Sequence, residues 1–104
     1  MTESRRVRIE LVERAWQDLD RIAEHLLAHE VQDVVVRIQA IVEACDILER
    51  HPRMGRPTAD GLRELVIGRG ARGYIALYDY DDTLEWVLVL AVKAQREAGD
   101  PDRD

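Results

Sequence analysis

"LEWVLVLAV", Leu84 to Val92, is an apolar run broken only by Glu85. Its β-branched and aromatic residues favour a strand. Apolar residues fall on both parities of the run, so both faces of that strand need cover, and it belongs in the middle of a sheet with helices packed over one side. "GYIALYDY", Gly73 to Tyr80, is rich in β-formers, and the acidic "DYDD" of Asp79–Asp82 reads as the hairpin turn between the two strands. "RELVIG", from Arg63, predicts a shorter strand before them.

Towards the N-terminus, Val7, Ile9 and Leu11 alternate with Arg6, Arg8 and Glu10, the period of a half-buried strand. From about Arg14 the period lengthens. Trp16, Leu19, Ile22, Ala23, Leu26 and Leu27 recur at three- and four-residue steps, which predicts an amphipathic helix. "AHEVQD" turns the chain into a second helix with an apolar stripe from Val31 through Val34, Val35, Ile38, Ile41, Val42 and Cys45 to Leu48. Pro52 stops it. The expected order is β-α-α-β-β-β, an α+β fold with a two-helix hairpin on one face of a small, mostly antiparallel sheet.

The composition bounds the class. A chain of 104 residues with 46% hydrophobic and 35% charged residues suits one globular domain, with an ordered core over about 7–99 and a polar tail at 100–104. Phe is absent, so the core rests on Val, Leu, Ile and Ala around two Trp and three Tyr. No apolar run reaches the roughly 20 residues of a membrane span, and Arg5, Arg6, Arg8 and Glu10 interrupt any signal-peptide core. One cysteine excludes an internal disulfide, which fits a cytoplasmic location. A pI near 5.0 argues against broad binding to nucleic-acid backbones.

Against a net charge of −6, the stretch from Arg50 to Tyr74 holds Arg50, Arg53, Arg56, Arg63, Arg69 and Arg72, opposed only by Asp60 and Glu64. Two explanations compete. The arginines receive an acidic partner, or they pair with the protein's own carboxylates; Arg suits planar carboxylate contacts in both cases. The turn and strand ends that carry Arg53, Arg56 and Arg72 favour the partner.

Other features read more simply. His25 and His29 are spaced for one metal ion, but only Glu24 and Glu30 stand near, so a solvated helix edge is expected and no metal site. Cys45 lies on an apolar stripe among Glu43, Asp46 and Glu49, which suits a core residue and not a reactive thiol. "DYDD" lacks the loop length and distal Glu of a calcium loop. Trp16 and Trp86 are expected between the helices and the sheet, or at a subunit contact.

The succession "HPRMGRP", "LRELVIG", "GYIALYDY" and "VLVLAVKAQREAG" resembles the RelE/ParE superfamily of bacterial toxins, most closely its ParE-type or plasmid-stabilisation branch, from about Val7 to Gly99. The resemblance implies a toxin encoded beside an antitoxin that neutralises it. Branches of the superfamily either cut messenger RNA on the ribosome or poison DNA gyrase.

RNA cleavage needs a base, stabilisation of the phosphorane and help for the leaving oxygen. Ribonuclease relatives usually place Arg after the Gly-Tyr pair, Arg or His just past the last strand, and Tyr near the end. The matching positions here are Ile75, Ala94 and Asp100. The expectation is therefore a ParE-like toxin with no cofactor, acting by protein–protein inhibition of a topoisomerase such as gyrase. Its binding surface for antitoxin or target is expected at Arg53, Arg56, Arg63, Arg69, Arg72, Lys93 and Arg96. The alternatives are a ribosome-dependent endoribonuclease and a non-toxic partner that modulates its antitoxin's DNA binding.

Overall fold

Alternation over Arg8–Leu11 forms the first strand, β1, which exposes Arg8 and Glu10 and half-buries Ile9 and Leu11. The computed structural model describes residues 6–68 and 73–95. After β1 come helix α1 (Glu13–Ala28), helix α2 (Val34–Ala44), a 3₁₀ turn (Cys45–Glu49), and strands β2 (Arg56–Pro57), β3 (Arg63–Ile67), β4 (Tyr74–Asp81) and β5 (Trp86–Ala94). The α+β order expected above is present, with a two-residue strand added at β2. The expected tail at 100–104 lies outside the described residues.

The strands form one sheet in the order β1-β5-β4-β3-β2. β1 runs parallel to β5, and the other neighbours are antiparallel. β5 thus has a strand on each side, as its apolar parities require. Val87, Val89 and Val92 face the helices together with Ala76 and Tyr78 of β4, and all five belong to the buried core. Ile75, Leu77, Leu88 and Ala91 take the opposite parity. The "DYDD" turn begins later than expected: Asp79 and Tyr80 remain in β4, and the Asp81 carboxylate accepts from the Thr83 and Leu84 N–H groups, both at 3.0 Å.

The helices differ from the sequence reading in two respects. α1 buries Ala15, Leu19, Ile22 and Leu26, so its apolar stripe is centred one residue before Trp16. Trp16 is 49% exposed and does not pack between the layers. Consecutive helical residues lie about 100° apart, and the helix brings the small Ala15, fully buried, towards the core instead of the indole.

The second helix is shorter than the expected Val31–Leu48. Val31 closes α1: its N–H donates to Leu26 O at 3.0 Å and the Glu30 N–H donates to Leu27 O at 3.0 Å. Glu30 between them is left-handed, with φ 56°, so the turn is a Schellman cap. At the other end the helix tightens into the 3₁₀ turn at Cys45, whose buried thiol donates to Ile41 O at 3.6 Å. Burial, and secondarily the Asp46 charge, push the thiol up to about 11, consistent with a packing role.

α1 is tied to β5 by Asp18. The β4–β5 register shifts between Leu77 and Tyr78, so that Leu77 faces Ala91, Tyr78 faces Val89, and Leu90 has no opposite residue. β1 ends at Leu11, opposite Val89, leaving the far half of β5 beyond its reach. There the Val92 N–H donates to Asp18 Oδ2 at 2.9 Å. Arg21 bonds Asp18 Oδ1 at 3.1 Å and Arg14 approaches it at 3.5 Å. Burial alone would raise the carboxyl's pKa, but the Val92 N–H, the Arg21 hydrogen bond and the two guanidinium charges together bring it below its ordinary 3.8.

A carboxyl whose pKa is depressed by folding adds stability above its unfolded pKa and loses it as pH falls through the folded value. The melting temperature of the wild type is therefore expected to fall from about pH 5 downward more steeply than that of Asp18→Asn. Asp18→Ala, which orphans the Val92 N–H, should cost about 1–3 kcal/mol at neutral pH. Thermal unfolding of the three proteins across pH measures both effects, and parallel pH curves would show that Asp18 is not the responsible group.

Candidate functional site

The arginine-bearing turn between the 3₁₀ turn and β2 is fixed from beneath by Tyr78. Its side chain is fully buried, and a buried phenol needs hydrogen-bond partners. The hydroxyl donates to Pro52 O at 2.7 Å and accepts from the Gly55 N–H at 2.9 Å. Gly55 is required for this closeness: a Cβ there would lie 2.7 Å from the Tyr78 ring and hydroxyl and 2.8 Å from Glu64 O. Burial raises the phenol's pKa, partly offset by the Gly55 hydrogen bond and the Arg63 charge, so Tyr78 stays a neutral donor.

Arg63, opposite Tyr78 on β3, holds the same turn from the side. Its Nη1 donates to Arg53 O at 3.0 Å and Gly55 O at 2.8 Å. With its carbonyls engaged, the turn projects two arginine side chains outward. Arg53 pairs with Asp82 at 3.0 Å and lies over the Tyr80 ring, 5.0 Å from its centroid. Arg56 pairs with Glu64, its register partner on β3, at 3.3 Å. Both guanidiniums remain largely exposed, and exposed pairs of this kind contribute only about 0–1 kcal/mol. Both explanations of the arginines thus have a footing: the carboxylates are the protein's own, yet the cations stay open to solvent.

Of the residues expected to bind a partner, Arg53, Arg56 and Arg63 are gathered at this turn. Lys93 is exposed on β5 opposite Ile75, roughly 20 Å along β4 from the Asp81–Asp82 end. Arg69, Arg72 and Arg96 lie outside the described residues, as does Asp100. Ile75 is buried, with Val66 and Lys93 as its register partners, and Ala94 sits opposite Tyr74. His25 and His29 are exposed; their rings lie 4.2 Å apart, and His29 Nδ1 contacts His25 O at 2.9 Å.

Two parts of the site were not anticipated. Tyr78 was read only as a β-former, although its core parity and polar tip together point to a nearby backbone partner. Ile47, His51, Pro52, Arg53 and Met54 line an open cleft of about 480 Å³ beside the turn.

Comparison with known proteins agrees with the geometry. The family model for the ParE toxin of the type II toxin–antitoxin system, parDE, matches residues 9–99. Toxin RelE3 of Caulobacter vibrioides is 31% identical over 70 residues, covering 67% of this chain and 76% of the relative. Among solved structures, the chromosomal ParDE system of P. aeruginosa superposes with a TM-score of 0.70 at 22% identity, covering 85% of this chain and 95% of the other. The RelBE2 toxin–antitoxin complex of Mycobacterium tuberculosis gives 0.60 at 22% identity, covering 91% and 98%. At these identities the two structures establish a shared fold.

Tyr78→Phe keeps the ring and strands the Gly55 N–H and Pro52 O. It should lower stability by about 1–3 kcal/mol in chemical denaturation. Gly55→Ala should also destabilise, because the new methyl meets both a buried ring and a backbone carbonyl. Wild-type stability in both variants would show that the turn is not held in this way.

Proposed function

The chain belongs to the ParE toxin family of type II toxin–antitoxin systems, and from that premise we propose that a cognate antitoxin holds it and that the free protein inhibits a topoisomerase such as DNA gyrase through a protein–protein contact. The observation that carries this reading over RNA cleavage is Ile75. Where the ribonuclease-like relatives carry a cation, this chain buries an aliphatic side chain beside Val66. Ala94, at the second such position, is a methyl group in β5. Neither can move a proton or stabilise a phosphorane.

A second reading, ribosome-dependent cleavage of messenger RNA, is favoured by one feature: the exposed Lys93 adjoins Ile75 across the β4–β5 ladder and could hold a phosphate. Phosphate binding alone supplies only part of the required chemistry. In either reading the proposed partner-facing cations are Arg53, Arg56 and Lys93, with Arg69, Arg72 and Arg96 proposed from the sequence alone; Arg63, also expected there, is instead committed to the Arg53 and Gly55 carbonyls. A cytoplasmic location suits both readings; among the described residues no helix is long and apolar enough to cross a membrane.

Purified protein is expected to inhibit DNA supercoiling by gyrase, and its induction in cells to give no codon-dependent messenger RNA ends by primer extension. Discrete new ends, lost in Lys93→Ala, would establish the ribonuclease reading. The antitoxin contact is tested by co-purification with the adjacent gene product and by binding at increasing salt, which screens exposed charges. Arg53→Ala and Arg56→Ala should each weaken that complex by about 1–3 kcal/mol where the contact is desolvated. Their melting temperatures should change little. Lower melting temperatures with unchanged affinity would instead assign these arginines to bracing the fold.

A further inference from the structure

His25 lies in the last turn of α1 and His29 is its C-cap, and both are exposed. From the sequence, two imidazoles without a third donor predict a solvated helix edge. The structure adds two facts. The ring centroids are 4.2 Å apart, and His29 Nδ1 lies 2.9 Å from His25 O. A carbonyl oxygen only accepts, so Nδ1 carries the proton and the neutral ring keeps its lone pair on Nε2. Metal-bound histidines are held in the same way, by a carbonyl or carboxylate at the ring nitrogen that does not bind the metal. The spacing also suits a chelate. Two imidazoles bound cis, about 2.0–2.1 Å from one ion, set their centroids roughly 4.5 Å apart at a right angle and roughly 5 Å apart in a tetrahedron. The rings are tilted by 39°, so a side-chain rotation completes the arrangement. His25 is open to make it, since no group among the described residues hydrogen-bonds its ring.

We propose that His25 and His29 form a two-imidazole site for a late divalent transition-metal ion, bound most tightly as Cu²⁺, with water in its remaining positions. The count of donors selects the ion. Among the described residues no group of three or more His, Cys, Asp or Glu side chains comes together, whereas a structural zinc site takes four protein donors. Cu²⁺ heads the divalent series for nitrogen ligands and accepts a tetragonal set. The surroundings favour a cation. The C-terminal carbonyls of α1 carry the negative end of the helix dipole, and Glu24 and Glu30 flank the pair in sequence. Arg21, one turn before His25, is drawn to Asp18 at 3.1 Å. Residues four apart meet only while the helix is formed. The ion therefore binds the native chain in preference to the unfolded one, and clamps α1 just before its Schellman cap.

The site is independent of the toxin reading, and its test uses the metal alone. The chain has three histidines, and His51, on the arginine turn, serves as an internal reference. The full-length protein is titrated with CuCl₂ by calorimetry in a non-coordinating buffer, and the complex is read by electron paramagnetic resonance. A single ion should bind with a micromolar Kd and show two nitrogen donors. Ni²⁺ and Zn²⁺ should bind more weakly, and Mg²⁺ should not compete. His25→Ala and His29→Ala should each weaken binding roughly tenfold or more, and His51→Ala should leave it unchanged. Cu²⁺ at about 100 times its Kd should raise the folding equilibrium constant roughly 100-fold, seen as a higher midpoint of chemical denaturation.

Copper binding that survives in the double variant His25→Ala/His29→Ala would place the ion elsewhere on the chain and overturn the site. So would a spectrum with one nitrogen donor, or a His51→Ala variant that loses as much affinity as the other two. Equal competition by Mg²⁺ would reveal attraction to the acidic surface without imidazole coordination, and overturns the site as well. Both histidines are exposed, so their variants should keep the wild-type circular dichroism, which shows that lost affinity is not lost fold. An unchanged denaturation midpoint with Cu²⁺ bound would overturn the clamp on α1.

Discussion

The geometry of the basic turn depends on one phenol. Tyr78 must be buried because it occupies the helix-facing parity of β4 between Ala76 and Tyr80, yet its hydroxyl must be satisfied. Both needs are met by drawing the chain from Pro52 to Gly55 down onto it. Gly55 then has to be glycine, and the turn's outer carbonyls become acceptors for Arg63. Arg53 and Arg56 project from a backbone whose polar groups are already engaged. Their side chains are adjustable while their origins are not, an arrangement that reduces the ordering cost of binding.

Asp18 does comparable work on the same face of the sheet, where α1 meets β5. The bulge at Leu90 and the end of β1 leave β5 with an N–H that no strand can reach, and α1 supplies the missing acceptor. A buried carboxylate would be costly alone, but Arg14 and Arg21, on the same helix and reaching out to solvent, offset its charge. The helix is therefore registered on the sheet by a directional bond as well as by its apolar stripe. That register turns Trp16 outward, because Ala15 and Asp18 must both face β5.

The sheet was legible because alternation and apolar content are local properties of each strand. The interior placement of β5 followed from Leu84–Val92 alone. The parallel pairing with β1 and the two-residue β2 were not legible, since both depend on contacts between residues distant in sequence. The second helix was overextended for a physical reason: Val31 is apolar and in phase with α2, but its N–H is taken by the Schellman cap of α1. The basic character of the turn was visible in composition. The identities of the opposing carboxylates were not, because Asp82 meets Arg53 only through the β4–β5 hairpin and Glu64 meets Arg56 only through the β2–β3 ladder.

These arginines differ in what they are free to do. Arg63 donates to two backbone carbonyls, so removing it deprives the part-buried Gly55 carbonyl of its side-chain donor, which is a structural cost. Arg53 pairs with the exposed Asp82 and lies over Tyr80, and Arg56 pairs with the half-buried Glu64; both guanidiniums stay open to solvent, where water can replace such bonds with little loss. One sequence feature, a run of arginines, thus divides into a residue that shapes the turn and two that the turn presents. The division follows from which acceptor each guanidinium reaches: a backbone carbonyl commits an arginine to the fold, whereas a side-chain carboxylate open to solvent leaves it able to exchange partners.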